Sequence, residues 1–245
     1  MITKEALLEI GKKKNLSNKE YIEKDYFQEV MLSSLFRTTN NFIFKGGTAL
    51  YKIHKLPRFS EDLDFSLLKP MDMDEINQII SKSIYNSYFK IKSVKETKDS
   101  VLIKLECKGI ITSNNALRID INTKNKVLSK FIVHNYTPDY IDINPFSLRV
   151  LSKEEMIAEK IHAILTKEKA RHVFDLFYLL RTTKFNKELA EKKLKIFNIH
   201  YSKKAVVKKI TAVSSIWEKE LRPFVFDDIP SFQMAKSYIE ENLPQ

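Results

Sequence analysis

Apolar and polar residues change their spacing twice along this chain, and the changes divide it into three stretches. In the first, residues 3–14 and 18–37 repeat apolar side chains at helical spacing. Ile22, Tyr26, Val30 and Leu35 recur in the second of these, and Ser17 or Asn18 stands where a helix cap belongs. Asn40-Asn41 ends it. In the second stretch the period shortens. Phe42-Ile43-Phe44 is β-prone and runs straight into Gly46-Gly47. A helix is expected from Thr48 to His54, where Pro57 stops it, and Leu63 to Leu67 alternates as a strand does. Asp72 or Asp74 opens a helix to about Tyr88, with Ile76, Ile79, Ile80 and Ile84 on one side. Strands are expected at 91–96, 101–107 and 117–122, with Lys98-Asp99 as a hairpin turn. Residues 135–146 read as a loop, and Phe146 to Leu151 as a last short strand. The third stretch opens on Ser152-x-x-Glu155, a capping-box pattern, and is helical throughout: 153–168, 170–181, 187–196, 202–220 and 231–242.

This order predicts an α+β fold with a mixed sheet over residues 1–151, followed by a helical bundle over 152–245. The 245 residues suffice for one large domain or two small ones. The first sixteen residues are charged throughout, so no signal peptide is expected, and the apolar runs are too short to cross a bilayer. One cysteine, Cys107, excludes an internal disulfide framework and fits a reducing, cytoplasmic compartment.

Charge changes the picture further. The net charge of +11 suits a nucleic-acid, nucleotide or acidic-membrane partner. From Arg181 to Lys209 there are ten Lys/Arg and two Glu. Lysine makes up 35 of the 42 cationic residues, which favours holding a phosphate backbone over reading bases. A solvated lysine-rich surface is the plain alternative.

The chemistry concentrates in Lys45-Gly46-Gly47-Thr48-Ala49-Leu50 and Arg58-Phe59-Ser60-Glu61-Asp62-Leu63-Asp64-Phe65. Only four glycines occur in the chain, and two are spent side by side here. Strand alternation puts Leu63, Phe65 and Leu67 on one face and Asp62, Asp64 and Ser66 on the other. Two carboxylates about 6–7 Å apart at Cα repel each other unless a cation is shared. Leu117, Ile119 and Ile121 alternate in the same way with Arg118, Asp120 and Asn122. If the two strands are neighbours, Asp120 becomes a third carboxylate, and oxygen-only ligands suit magnesium or manganese in phosphoryl or nucleotidyl transfer. A strand with a wet acidic face is the bland reading. Gly46-Gly47-Thr48, at a strand-to-helix corner, is suited to an anion nest, with a plain tight turn as its alternative. It is not a Walker loop, because no Gly-x-x-x-x-Gly-Lys-Ser/Thr occurs.

In the helical stretch, Lys160 borders the stripe of Ile157, Ile161 and Ile164, placed either to snorkel outward or to reach a phosphate. Asp175 is a lone charge in an apolar run and needs a partner. Arg171 one turn earlier is the local choice, with Lys160 or a metal-bound substrate as the functional ones. His172 is expected at the surface. Cys107, Trp217 and the phenylalanines between 174 and 232 are expected in the core.

The two glycine and acid motifs closely resemble the opening motif of the AbiEii/AbiGii nucleotidyltransferase family, toxins of type IV toxin–antitoxin and abortive-infection systems. Glu154-Glu155-Met156-Ile157-Ala158-Glu159-Lys160-Ile161-His162-Ala163 and Arg171-His172-Val173-Phe174-Asp175-Leu176 are similar to that family's downstream motifs, over roughly residues 40–180. The resemblance implies a polymerase β-like core followed by a helical domain. It also implies magnesium-dependent transfer of a nucleotide from an NTP to an acceptor, often the 3′ end of tRNA, and a separately encoded antitoxin. Asp62 and Asp64 match the metal-binding pair, Asp120 the third acid, and Lys160 and Asp175 the later lysine and aspartate implicated in activity. Where relatives often carry Arg-Asp, this chain has Arg171-His172. Lys45, Gly46, Gly47, Thr48, Arg58 and Ser60 form the expected substrate-binding set. Two other readings stand beside this one: an inactive, basic nucleic-acid- or antitoxin-binding module, and a kinase-like phosphotransferase on the same fold.

Overall fold

A computed structural model describes residues 2–84, 88–124 and 126–245. Residues 85–87, the end of the helix expected to reach Tyr88, lie outside the described residues. The chain divides into two compact units. One holds the residues up to Ile53, Phe59–Val127 and Phe131–Val150. The other holds His54–Arg58, Leu128–Lys130 and Leu151–Gln245.

The first unit begins with α1 (Lys4–Lys13) and α2 (Lys19–Thr38), capped by Thr3 and Asn18. Then come β1 (Phe42–Lys45), α3 (Gly46–His54), β2 (Leu63–Leu67) and α4 (Met73–Ser83). Asp72 and Glu75 form a complete capping box on α4. The strands β3 (Phe89–Glu96), β4 (Ser100–Lys108), β5 (Asn114–Asn122), β6 (Ile132–Tyr136) and β7 (Phe146–Val150) follow. All seven strands join one mixed sheet in the order β3-β4-β5-β2-β1-β7-β6. The pairs β2–β5 and β1–β7 are parallel, and the other pairings are antiparallel. Alternation fixes the faces of β4 and β5: Val101, Ile103, Leu105, Cys107, Leu117, Ile119 and Ile121 are all buried, while Lys104, Glu106 and Arg118 are exposed.

The α+β class and the mixed sheet are those the sequence predicts. Two details differ. Residues 132–136, partly placed in a loop by sequence, form the edge strand β6, paired with β7 from Ile132↔Val150 to Tyr136↔Phe146. Its polar His134-Asn135 pair hides it from a hydrophobic pattern. In addition, α3 starts at Gly46 rather than Thr48, so the glycine pair is the first turn of the helix itself.

Beneath the sheet residues, α2 carries four fully buried polar side chains, Glu23, Asp25, Gln28 and Glu29. Each has partners. Asp25 and Glu29 bind Lys14 and Lys52, at 2.5–3.2 Å, together with the hydroxyls of Tyr140 and Tyr136. Charge buried this deeply survives because it is paired and hydrogen-bonded. Since Lys52 lies on α3, the network ties that helix to α2. Gln28 donates to the carbonyls of Ser60 and Glu61, at 2.8 and 3.0 Å, and so fixes the approach to β2.

The second unit is helical: α5 (Lys153–Thr166), α6 (Ala170–Thr182), α7 (Lys187–Lys195), α8 (Lys203–Ala212), α9 (Trp217–Leu221) and α10 (Phe232–Asn242). The helix expected over 202–220 is broken by a 3-10 turn at Ser214–Ile216. Trp217, Phe174 and Phe177 are core residues, as expected, whereas Phe185, Phe197, Phe224, Phe226 and Phe232 are only half-buried. The capping box on α5 is half made. Ser152 accepts from the Glu155 amide, but the Glu155 carboxylate turns to the amides of Leu128 and Ser129 and to Lys193. The short segment 54–58 joins this unit through an Arg58↔Val225 bridge and a hydrogen bond from the Phe226 amide to the Pro57 carbonyl.

Candidate active site

The acidic motif lies where β2 and β5 meet. Their parallel register pairs Leu63 with Ile119, Asp64 with Asp120, and Phe65 with Ile121. Asp64 and Asp120 are thus cross-strand neighbours on the half-exposed face, while their apolar flanks are buried. Asp62 immediately precedes β2. Its carbonyl accepts from the Thr48 hydroxyl, and its carboxylate pairs with Arg118. On the other side of β2, the antiparallel register places Lys45 opposite Asp64. Gly46 follows with φ of +75°, the left-handed region, and a Cβ added there would collide with Asp64 Oδ2. Glycine is required on both counts.

One guanidinium answers three carboxylates here. Burial opposes the charge on Arg118, but the hydrogen bond it donates to Asp62 and the charges of Asp62, Asp64 and Asp120 raise its pKa. Among the described residues no group of three or more His, Cys, Asp or Glu is gathered so as to hold a metal ion. The three acids share a face and a counter-charge, with Asp62 turned onto Arg118. Their donor set nonetheless fits a hard divalent cation, because all three side chains offer carboxylate oxygens on one face. Of the expected substrate-binding set, Lys45 and Ser60 are buried and Thr48 is engaged through its hydroxyl.

Asp175, in the helical unit, is in the opposite state. It is fully buried and held by Arg58 through two parallel bonds of 2.7 Å, and by Lys160 at 2.6 Å. Burial works against its charge, yet Arg58 and Lys160 keep it well below the usual carboxylate range. The local partner suggested by sequence, Arg171, is not used; it stacks over the Phe224 ring at 5.0 Å. Nor is His172 at the surface. It is half-buried, and its Nδ1 is shielded without a hydrogen-bond partner. Desolvation first, and then the charge of Lys160, push its pKa down to about 3, so the ring is neutral at pH 7.

The basic run from Arg181 to Lys209 is less free than its composition suggests. Lys193 is fully buried against Glu155 and Glu159. Lys187, Lys192 and Lys209 pair with Glu191, Glu188 and Glu168. Arg181 lies over the rings of Phe177 and Tyr178.

Fold and motif together define a nucleotidyltransferase. The chain belongs to the AbiEii family, nucleotidyl transferase toxins of type IV toxin–antitoxin systems, whose family model matches residues 30–240. Among solved structures it is similar to MenT4, a nucleotidyltransferase toxin of Mycobacterium tuberculosis H37Rv, with 19% identity and a TM-score of 0.65 over 91% of this chain and 82% of that one. It is also similar to a proposed nucleotidyltransferase from H. pylori, with 19% identity and a TM-score of 0.60 over 91% and 93%. A third, JHP933 from Helicobacter pylori, shows 18% identity and a TM-score of 0.54 over 91% and 90%. At these identities the likeness speaks to the fold. No curated protein matches the chain. Among the described residues no helix is long and apolar enough to cross a membrane.

Proposed function

We propose that this toxin transfers a nucleotide from an NTP to the 3′ end of an RNA acceptor, tRNA being the favoured class, in the cytoplasm and with magnesium or manganese. The observation that carries the reading is the β2–β5 register, which makes Asp64 and Asp120 neighbours beside the Gly46 corner. Asp62, Asp64 and Asp120 are the residues that would hold the cation. A bound divalent cation supplies charge neutralisation at the transferred phosphate and lowers the pKa of the attacking hydroxyl.

The chain's own residues do the positioning. The amides at the start of α3, freed by Gly46 and Gly47, are the donors for the triphosphate. Thr48 anchors the Asp62 backbone and so fixes where β2 begins. Lys45 precedes the same corner opposite Asp64, and Ser60 lies on the approach to β2. Lys160 and Asp175 remain proposed activity residues. Asp175 fixes the Lys160 ammonium, and Arg58 serves by holding Asp175, since both carboxylate oxygens of Asp175 accept from its fork. Acceptance of the transferred charge falls to preorganised donors and positioning rather than to covalent chemistry. A separately encoded antitoxin is the expected partner.

The test is incubation with α-labelled or γ-labelled NTPs, magnesium and total RNA. The reading expects α-label in RNA that is lost in Asp64→Asn. Label transferred only from the γ position identifies a kinase-like phosphotransferase. Metal-independent RNA binding without transfer of either label identifies a binding module.

A further inference from the structure

We infer that the outward face of β3, β4 and β5 is the track on which a single-stranded nucleic-acid acceptor lies with its end at Asp64 and Asp120. The identity of that end rests on the nucleotidyl-transfer reading; the track itself rests on the sheet. The registers line up its rows. Asp120 stands opposite Leu102, which stands opposite Lys95. Arg118 stands opposite Lys104, which stands opposite Ser93. Ala116 stands opposite Glu106, which stands opposite Lys90. Lys92 sits at the bulge between Ile91 and Ser93, and Lys108 closes β4. The face that carries Asp120 therefore also carries Arg118, Lys104, Lys95, Lys90, Lys92 and Lys108, against Glu106 as the other acid on these three strands' outward positions. The reverse face of β4 and β5 is apolar and buried.

Three physical points favour a polyanion backbone as the occupant. The lysines at 90, 92, 95, 104 and 108 are exposed, and no ion pair joins them to an acid among the described residues. In the helical run, by contrast, four lysines are so paired. Strand spacing of about 4.8 Å and a rise of about 3.3 Å per residue make the surface roughly 10 by 13 Å, before lysine reach, which is room for a few phosphates. Lysine supplies point charge without base reading, which suits a surface that positions rather than selects.

Edge protection is the ordinary reason for lysines on an outer strand. It accounts for Lys90, Lys92 and Lys95 on β3, but not for Lys104 on the interior strand β4; Arg118 on β5 is already paired with Asp62. A cleft of about 350 Å³, lined in part by Lys92, Lys104, Glu106 and Ala116, forms part of this surface. Glu20 and Lys24, one acid and one base from α2, line it too.

The test is anisotropy of a fluorescent single-stranded oligouridylate in EDTA, over about 50 to 200 mM salt. Binding by the full chain is compared with that of the triple variant Lys92→Gln, Lys95→Gln, Lys104→Gln, and of a matched helical triple, Lys184→Gln, Lys195→Gln, Lys203→Gln. Loss of three single-strand phosphate contacts lowers the log–log salt slope by roughly 2 in the sheet triple. Affinity falls at least about tenfold, and the helical triple keeps the wild-type slope. In steady state, the RNA KM rises and kcat at saturating RNA holds. An unchanged slope in the sheet triple, with wild-type thermal unfolding, overturns the inference. So does displacement of the RNA by polyglutamate at equal charge, which would mark an acidic-peptide surface. Because the assay contains no metal, it separates the two readings. A reduced slope in a chain that transfers no nucleotide keeps the track and removes the proposed function. An unchanged slope in a chain whose transfer needs Asp64 does the reverse.

Discussion

Asp175 and the Asp64–Asp120 pair are carboxylates in opposite situations. Asp175 is wholly buried and saturated: a forked arginine takes both oxygens, and a lysine adds a third contact. Asp64 and Asp120 are half-exposed, adjacent in register, and share Arg118 with Asp62. The contrast teaches where an external cation is needed. A buried acid must be neutralised by the protein before it can be buried at all. Acids placed side by side on an open face repel each other, and a divalent cation from solution can relieve that repulsion. On this account the first builds the helical unit and fixes Lys160, and the second is the proposed cation site.

The largest effect expected from breaking this contrast is on the saturated side. Arg58→Met leaves Asp175 buried with Lys160 alone and destabilises the fold by about 3–5 kcal/mol, measured by urea unfolding. A loss below about 1 kcal/mol would mean that the pair is not built as described. On the open side, Asp64→Asn is expected to leave stability nearly unchanged or raised, while transfer falls more than about 100-fold, beyond the loss typical of a group that only supports a metal ligand. Gly46→Ala probes both at once. The positive φ and the collision with Asp64 cost about 1–2 kcal/mol, and transfer falls with them; an alanine variant of wild-type stability and activity would dissociate the corner from Asp64. The last effect is pH-dependent. His172 is neutral in the folded state down to about pH 3, whereas the unfolded ring takes a proton near pH 6.5. The unfolded state thus binds more protons between these values, and folding stability falls as pH drops through that window, by about 1.4 kcal/mol per pH unit. Between about pH 6.5 and 5, above the carboxylate range, His172→Phe removes this slope. A slope that persists in the variant assigns it elsewhere.

What the sequence disclosed, and what it concealed, follows from how local each signal is. The alternation that put Asp62 and Asp64 opposite Leu63 and Phe65 is a two-residue period, legible in any single strand. So is the matching pattern around Asp120. That the two strands are neighbours required a pairing across more than fifty residues, which the sequence permitted without stating. Asp175 misled for the same reason. Its helical neighbour Arg171 obeys the local rule, but the true partner, Arg58, lies 117 residues away. His172 sits beside a charged residue in sequence and among packed groups in space. The helical run of lysines stood out because it is contiguous, yet the structure pairs several of them with glutamates. The sheet-face lysines went unremarked because alternation scatters them one residue in two over three strands.

The most direct test of the central claim is a manganese titration followed by electron paramagnetic resonance on the wild-type chain, Asp64→Asn and Asp175→Asn. The account predicts bound manganese in the wild type, its loss in Asp64→Asn, and its retention in Asp175→Asn wherever that variant remains folded. Equal binding by wild type and Asp64→Asn would contradict it, because the open pair would then not be where the cation goes.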